Sequence, residues 1–170
     1  MKTSSLFLIG MGAALALAPL PAAAQSVRVL GDFRDWSAYA ATESGEPLCF
    51  VMTKPVQTEP QPDGYSQAYL YLTHRPTESV RFEFNLVSGY TFAPDSPAIA
   101  SVNGQNYTLF TQSDAAWLED PAQAENLAGS IRAGANIVVE GTTERGIKVR
   151  QTFSLSGATA ASNAISGECA

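Results

Sequence analysis

The chain has 170 residues, 45% hydrophobic and 15% charged, with 16 acidic side chains against 10 basic ones and a single histidine. That length and balance fit one globular domain able to bury a core, and exclude a disordered polar chain. The acidic excess argues against nucleic acid or an anionic lipid surface as partner, because phosphate recognition needs clustered Lys and Arg.

Residues 1–24 read as a cleavable secretory signal peptide. Lys2 supplies the positive start, Leu6 to Leu17 the apolar run, and Ala22-Ala23-Ala24 before Gln25 the small-residue cleavage site. The run is about a dozen residues, shorter than the roughly 20 that a spanning helix needs. The expected product is residues 25–170, periplasmic or secreted, with no transmembrane segment. Loss of Lys2 leaves nine basic residues against sixteen acidic ones. The only two cysteines, Cys49 and Cys169, both lie in that exported part. An even count in an oxidising compartment predicts a disulfide, a pair of buried free thiols being the alternative. Closing so long a loop would stabilise the fold by about 4–5 kcal/mol on chain-entropy grounds.

From Phe33 onward short alternating runs predict strands over 36–40, 48–53, 68–74, 80–86, 98–102, 105–110, 136–140 and 147–155. In the clearest run Val80, Phe82, Phe84 and Leu86 face a core while Arg81, Glu83 and Asn85 face water. In the last run Ile147, Val149, Phe153 and Leu155 face inward and Gln151 interrupts the apolar face. Asn103-Gly104 predicts a two-residue hairpin turn. The stretch 55–67, with three prolines and mostly polar residues, reads as a long surface loop.

Two helices interrupt the strands. Asp120 caps the first, Pro121 fits its first position, Gln123 completes the capping pattern and Gly134 lies past its end, with Leu127, Ile131, Ala124 and Ala128 forming the buried stripe. The second runs from about Thr159 to Ser166, is closed by Gly167, turns Ala161 and Ile165 inward and delivers Cys169 to its partner. The expected fold is mainly β: an antiparallel β-sandwich or flattened barrel with two short α-helices.

PLCFVMTKP (47–55), YLTHRP (71–76), GYTFAPDS (89–96), LFTQSDAAWLED (109–120) and GTTERGIKVRQTFSLSGATAA (141–161) together resemble the invasion-associated locus B family of exported bacterial proteins. The likeness covers residues from about Cys49 to Cys169, and its most specific part is GT-x-x-RG followed by SLxG. It implies a compact secreted β-sandwich-like domain, a theme of association with host-cell entry, and no catalytic residues to transfer. Members of that family often have strongly basic mature chains, and this acidic chain departs from them there.

No catalytic constellation emerges. The one histidine, His74, ends a strand beside Arg75, and no GxSxG elbow accompanies it. The expected role of His74 is structural, hydrogen-bonded at a strand end, with a surface contact as its functional alternative. One histidine and two distant cysteines do not make a zinc site, and Asp114, Glu119 and Asp120 do not match a calcium loop. No Gly-rich phosphate loop exists, and neither metal nor cofactor is expected. Asn106-Tyr107-Thr108 matches a glycosylation acceptor. Arg145, inside the turn Gly141 to Gly146, is a candidate surface contact whose guanidinium would meet a carboxylate or phosphate, although a hairpin turn alone explains those glycines. Trp36 and Trp117 are expected to pack in the core or at a seam.

The leading expectation is a non-enzymatic envelope protein acting through protein or cell-surface contacts, its partner an envelope or host-surface protein. The alternatives are a small-ligand or lipid carrier and a hydrolase with an unrecognised site.

Overall fold

The computed structural model describes residues 26–169; the signal peptide expected at 1–24 lies outside them. Eleven strands form one antiparallel sheet. They are β1 (Val27–Phe33), β2 (Trp36–Glu43), β3 (Glu46–Thr53), β4 (Gln57–Glu59), β5 (Tyr69–Arg75), β6 (Val80–Val87), β7 (Ala98–Val102), β8 (Gln105–Gln112), β9 (Ala115–Leu118), β10 (Asn136–Thr142) and β11 (Lys148–Ser154). Their order across the sheet is β1-β2-β3-β5-β6-β9-β8-β7-β10-β11-β4.

The sheet turns back on itself, so that its two halves face each other across one core. Trp36 at the start of β2 donates its indole N–H to the Ser154 carbonyl ending β11, 3.0 Å away, and Asp35 N–H bonds to Ser156 O. Gln151, wholly buried in β11, donates Nε2 to the Ser88 carbonyl just after β6, 2.8 Å away. β1 and β4 remain unjoined edges, so the flattened-barrel alternative gives way to the sandwich-like one.

Period-two alternation fills the core as the sequence predicts. Phe82, Phe84 and Leu86 of β6, Ala98, Ala100 and Val102 of β7, and Val149 and Phe153 of β11 are buried. Ile147 departs from its expected inward position: it lies in the turn before β11 and is 37% exposed. The polar stretch 55–67 is not all loop, because Gln57–Glu59 pairs with β11 at the sheet edge. β1 and β9 are further strands that the alternation does not reveal. Asn103 and Gly104 both have positive φ, 51° and 81°, which gives the β7–β8 turn the twist of its flanking strands.

Helix α1 (Ala124–Ala133) packs against β6. Asp120 accepts a bond from Ala122 N–H and a second from Gln123 Nε2, but Pro121–Gln123 form a 3-10 turn, so the α-helix proper begins only at Ala124. Leu127, Ala128 and Ile131 are its buried stripe. Gly134 is required by packing rather than by conformation. Its φ is −91°, and a Cβ there would meet Val102 Cγ1 at 2.7 Å and Leu155 Cδ1 at 2.9 Å.

Helix α2 (Ala158–Glu168) continues through Gly167 instead of ending there, and lies against β1, β2 and β3 with Ala161 and Ile165 buried. It places Cys169 in a disulfide with Cys49 of β3, Cα atoms 5.9 Å apart across a separation of 120 residues.

In β8, Leu109→Ala is expected to cost about 2–5 kcal/mol. The neighbouring exposed Thr108→Ala should stay within about 0.5 kcal/mol. Denaturant unfolding of the two variants measures this contrast between inward and outward positions.

Candidate functional site

Large apolar residues stand next to each other at several places in these strands: Leu109 beside Phe110, Trp117 beside Leu118, and Phe50 beside Val51. Because strand side chains alternate, one of each pair must face away from the core. Leu109, Leu118 and Val51 take the inner side. Phe110, Trp117 and Phe50 take the outer one, and the strand register aligns them.

Phe110 lies opposite Trp117, Trp117 opposite Asn85, and Asn85 opposite Tyr71, across β8, β9, β6 and β5. Tyr39 lies opposite Phe50 across β2 and β3. Ring contacts tie the row together in two groups, one on each side of Asn85. Phe110 stacks on Trp117 with centroids 5.2 Å apart, Tyr39 on Phe50 at 5.0 Å, and Tyr71 meets Phe50 at 6.1 Å and Tyr69 at 6.2 Å. The result is an aromatic band across the outer face of six neighbouring strands, about 24 Å from first to last at the usual strand spacing. The rings along it are half-buried, except Phe110, which is 46% exposed. Burial, then the neighbouring Tyr69 and Tyr39, raises the Tyr71 pKa, so its hydroxyl stays a neutral donor.

The charged groups beside the band are mostly engaged with one another or with a ring. Arg75 bonds to Glu43 at 2.8 Å and to Glu83 at 3.4 Å, and Lys54 Nζ sits 5.6 Å from the Tyr69 ring centroid. An aromatic surface with its charges so occupied suits apolar and stacking contacts.

At one end the band falls into a groove. β6 and β9 pair only at Asn85–Val87, so Val80–Phe84 has no strand partner on that side and the two strands diverge. Pro121, Ala122 and the start of α1 form the opposite wall. The cavity, about 720 Å³, is lined chiefly by Val80, Phe84, Phe110, Trp117, Leu118 and Pro121, with Arg81 and Glu125 at its rim. Trp36 is a core residue as expected, but Trp117 is not: it forms part of this open surface.

Arg145 lies elsewhere. The turn joining β10 to β11 is closed by Gly146 N–H to Thr143 O, 2.8 Å, and Ile147 N–H to Thr143 Oγ1, 3.1 Å. Its side chain is largely exposed, with Nη1 3.9 Å from Asp63 Oδ2, at the mouth of a polar cavity of about 400 Å³. So exposed a pair contributes little to stability. Among the described residues no three His, Cys, Asp or Glu side chains converge as a metal site would require, and Asp120 is used as a helix cap.

His74 corrects the reading of it as a surface contact. It is 1% exposed, and among the described residues neither ring nitrogen has a hydrogen-bond partner beyond the approach of the Cys169 backbone, so the expected bond at the strand end is not made. The cause is strand alternation: His74 follows Leu70 and Leu72 onto the inner face of β5, opposite Cys49, and a bulge at Arg81 and Phe82 of β6 sets the Phe82 ring against it, the two edge to face 4.4 Å apart. Burial lowers the His74 pKa below 6.5, aided by Arg81 and opposed by the Cys169 backbone and by Glu125.

No family model and no curated protein matches the sequence. Among solved structures, the crystal structure of invasion associated protein B from Bartonella henselae matches with a TM-score of 0.62 and 15% identity, covering 81% of this chain and 95% of that chain. The two share a fold.

Because the folded state holds His74 neutral, its contribution to stability is present above the unfolded value of 6.5 and is lost as pH falls below it. Unfolding followed between about pH 5 and about pH 8 should show wild type losing more stability on acidification than His74→Phe. Parallel curves would contradict this.

Proposed function

We propose that this chain is a non-enzymatic exported protein with a fold like that of invasion associated protein B, acting through protein or cell-surface contacts made by the aromatic band and its groove. The observation that carries this reading is the register-aligned row from Phe110 to Tyr39 on the outer face. Rings at those positions add little to the core, yet occupy the kind of surface on which Trp and Tyr dominate interface energies. The disulfide fits an oxidising compartment. Among the described residues no helix is long and apolar enough to cross a membrane. Association with host cells is one form such contact would take.

Immobilised protein exposed to bacterial envelope extract tests the reading. Wild type should retain a defined partner, and Trp117→Ser and Tyr71→Ser should each lose it by at least about tenfold, with the melting temperature changing little. Retention indifferent to both substitutions would remove the band from the function. Turnover of a small substrate with no partner retained would favour the hydrolase alternative instead.

A further inference from the structure

Three observations converge behind β5, away from the band. Cys49 and His74 are direct cross-strand partners on β3 and β5, both buried on the inner face, where facing Cβ atoms lie about 4.5–5.5 Å apart. Cys169, bonded to Cys49, brings its own backbone against the same imidazole. Apart from that approach of the Cys169 backbone, neither nitrogen of the imidazole has a hydrogen-bond partner among the described residues, although the ring is almost wholly enclosed. A neutral imidazole has one N–H to donate and one nitrogen to accept, and burying both unused is costly. While the disulfide is closed, Cys49 has no S–H to give and its sulfur accepts only weakly. Once the bond opens, Cys49 becomes a thiol or thiolate directly opposite the ring.

We infer that Cys49, Cys169 and His74 form a thiol–disulfide exchange site, opened by an external dithiol and closed by an external disulfide, in which His74 is the partner held ready for the Cys49 sulfur. In the opening step a thiolate of the dithiol attacks Cys169 Sγ, because Cys169 is 9% exposed whereas Cys49 is fully buried. A mixed disulfide forms, the Cys49–Cys169 bond breaks, and its electron pair leaves on Cys49 Sγ, which takes a hydrogen bond from the His74 N–H. The second thiol of the dithiol, losing its proton, attacks its own mixed-disulfide sulfur and releases Cys169. The dithiol is oxidised to a cyclic disulfide, the protein bond is reduced to two thiols, and the two protons shed by the dithiol pass to the protein sulfurs. Opening frees α2 from its covalent tie to β3.

The surrounding charges favour a thiolate there. Arg81 of β6 and Arg132 of α1 both lie against the Phe82 ring that abuts His74, with centroid distances of 5.8 and 5.1 Å, while Glu125 of α1 is the opposing charge. A hydrogen bond donated by the neutral imidazole and nearby cationic groups favour the thiolate, and a stabilised reduced form makes a disulfide easier to open.

Two measurements test the site. In Cys169→Ser, which keeps Cys49 as a lone thiol, thiolate absorbance should titrate below the ordinary value of about 8.5. Adding His74→Phe should raise that pKa by at least about one unit, a tenfold loss of thiolate. In the full chain equilibrated with dithiothreitol, wild type should be reduced at a roughly tenfold lower ratio of dithiol to cyclic disulfide than His74→Phe. Equal thiol pKa values with and without His74, or equal reduction of wild type and His74→Phe, would overturn the inference. Unfolding of the lone-thiol protein would bring both variants to the same ordinary value, and so would count against it too.

Discussion

The covalent tie between Cys49 and Cys169 is the constraint on which the rest of the fold leans. Cys49 sits in the middle of β3, at the centre of one half of the sandwich, and Cys169 follows the helix packed over that half. Between them the chain builds most of the core, to which β2 adds Trp36 and Ala38. Without the bond α2 would be held to β1, β2 and β3 by Ile165, by the small side chains of Ala158, Ala161 and Ser162, and by the exposed ion pair of Glu168 with Arg28. Such a helix buries modest apolar area, so its place over the strands depends on a tether whose main effect is to remove freedom from the unfolded chain. The same bond links the fold to its compartment, since an oxidising environment preserves it.

Strand periodicity then divides two tasks between the faces of the same segments. Inner residues such as Leu70, Leu72, Phe84 and Leu109 make the core, and the positions between them carry Tyr71, Asn85 and Phe110 to the outside. Antiparallel register brings outward aromatics, distant in sequence, into one row of two ring groups with Asn85 between them. The acidic net charge is compatible with that surface, because the ionic groups nearest the band are satisfied locally by Arg75 with Glu43 and Glu83. The contact proposed for it is accordingly one through stacked rings rather than through charge.

Much of the architecture was legible in the residue order. Strand alternation in β6 and β11, the Asn103-Gly104 turn, the Asp120 cap and the pairing of the only two cysteines all follow from local chemistry that the folded chain respects. The polar strand β4 was hidden because Gln57, Thr58 and Glu59 pair at an edge with no buried face to give them a pattern. The inward face of His74 was legible too, since it stands two residues beyond Leu72 and four beyond Leu70. The bulge in the neighbouring strand that sets Phe82, at φ 52°, against it was not, because a bulge changes which residues oppose each other without marking the sequence. The outer band did have a signal, since adjacent pairs such as Leu109-Phe110 and Trp117-Leu118 cannot both point inward. Its alignment did not, because that depends on register between strands far apart in the chain.

The most direct measurement is equilibrium unfolding of the oxidised protein beside the double variant Cys49→Ala and Cys169→Ala. If the bond is the tether that holds α2 and closes the sandwich, the variant should remain folded at 25 °C but lose about 4 kcal/mol, with the first loss of amide-exchange protection in α2. Unchanged stability and unchanged protection in α2 would contradict the account.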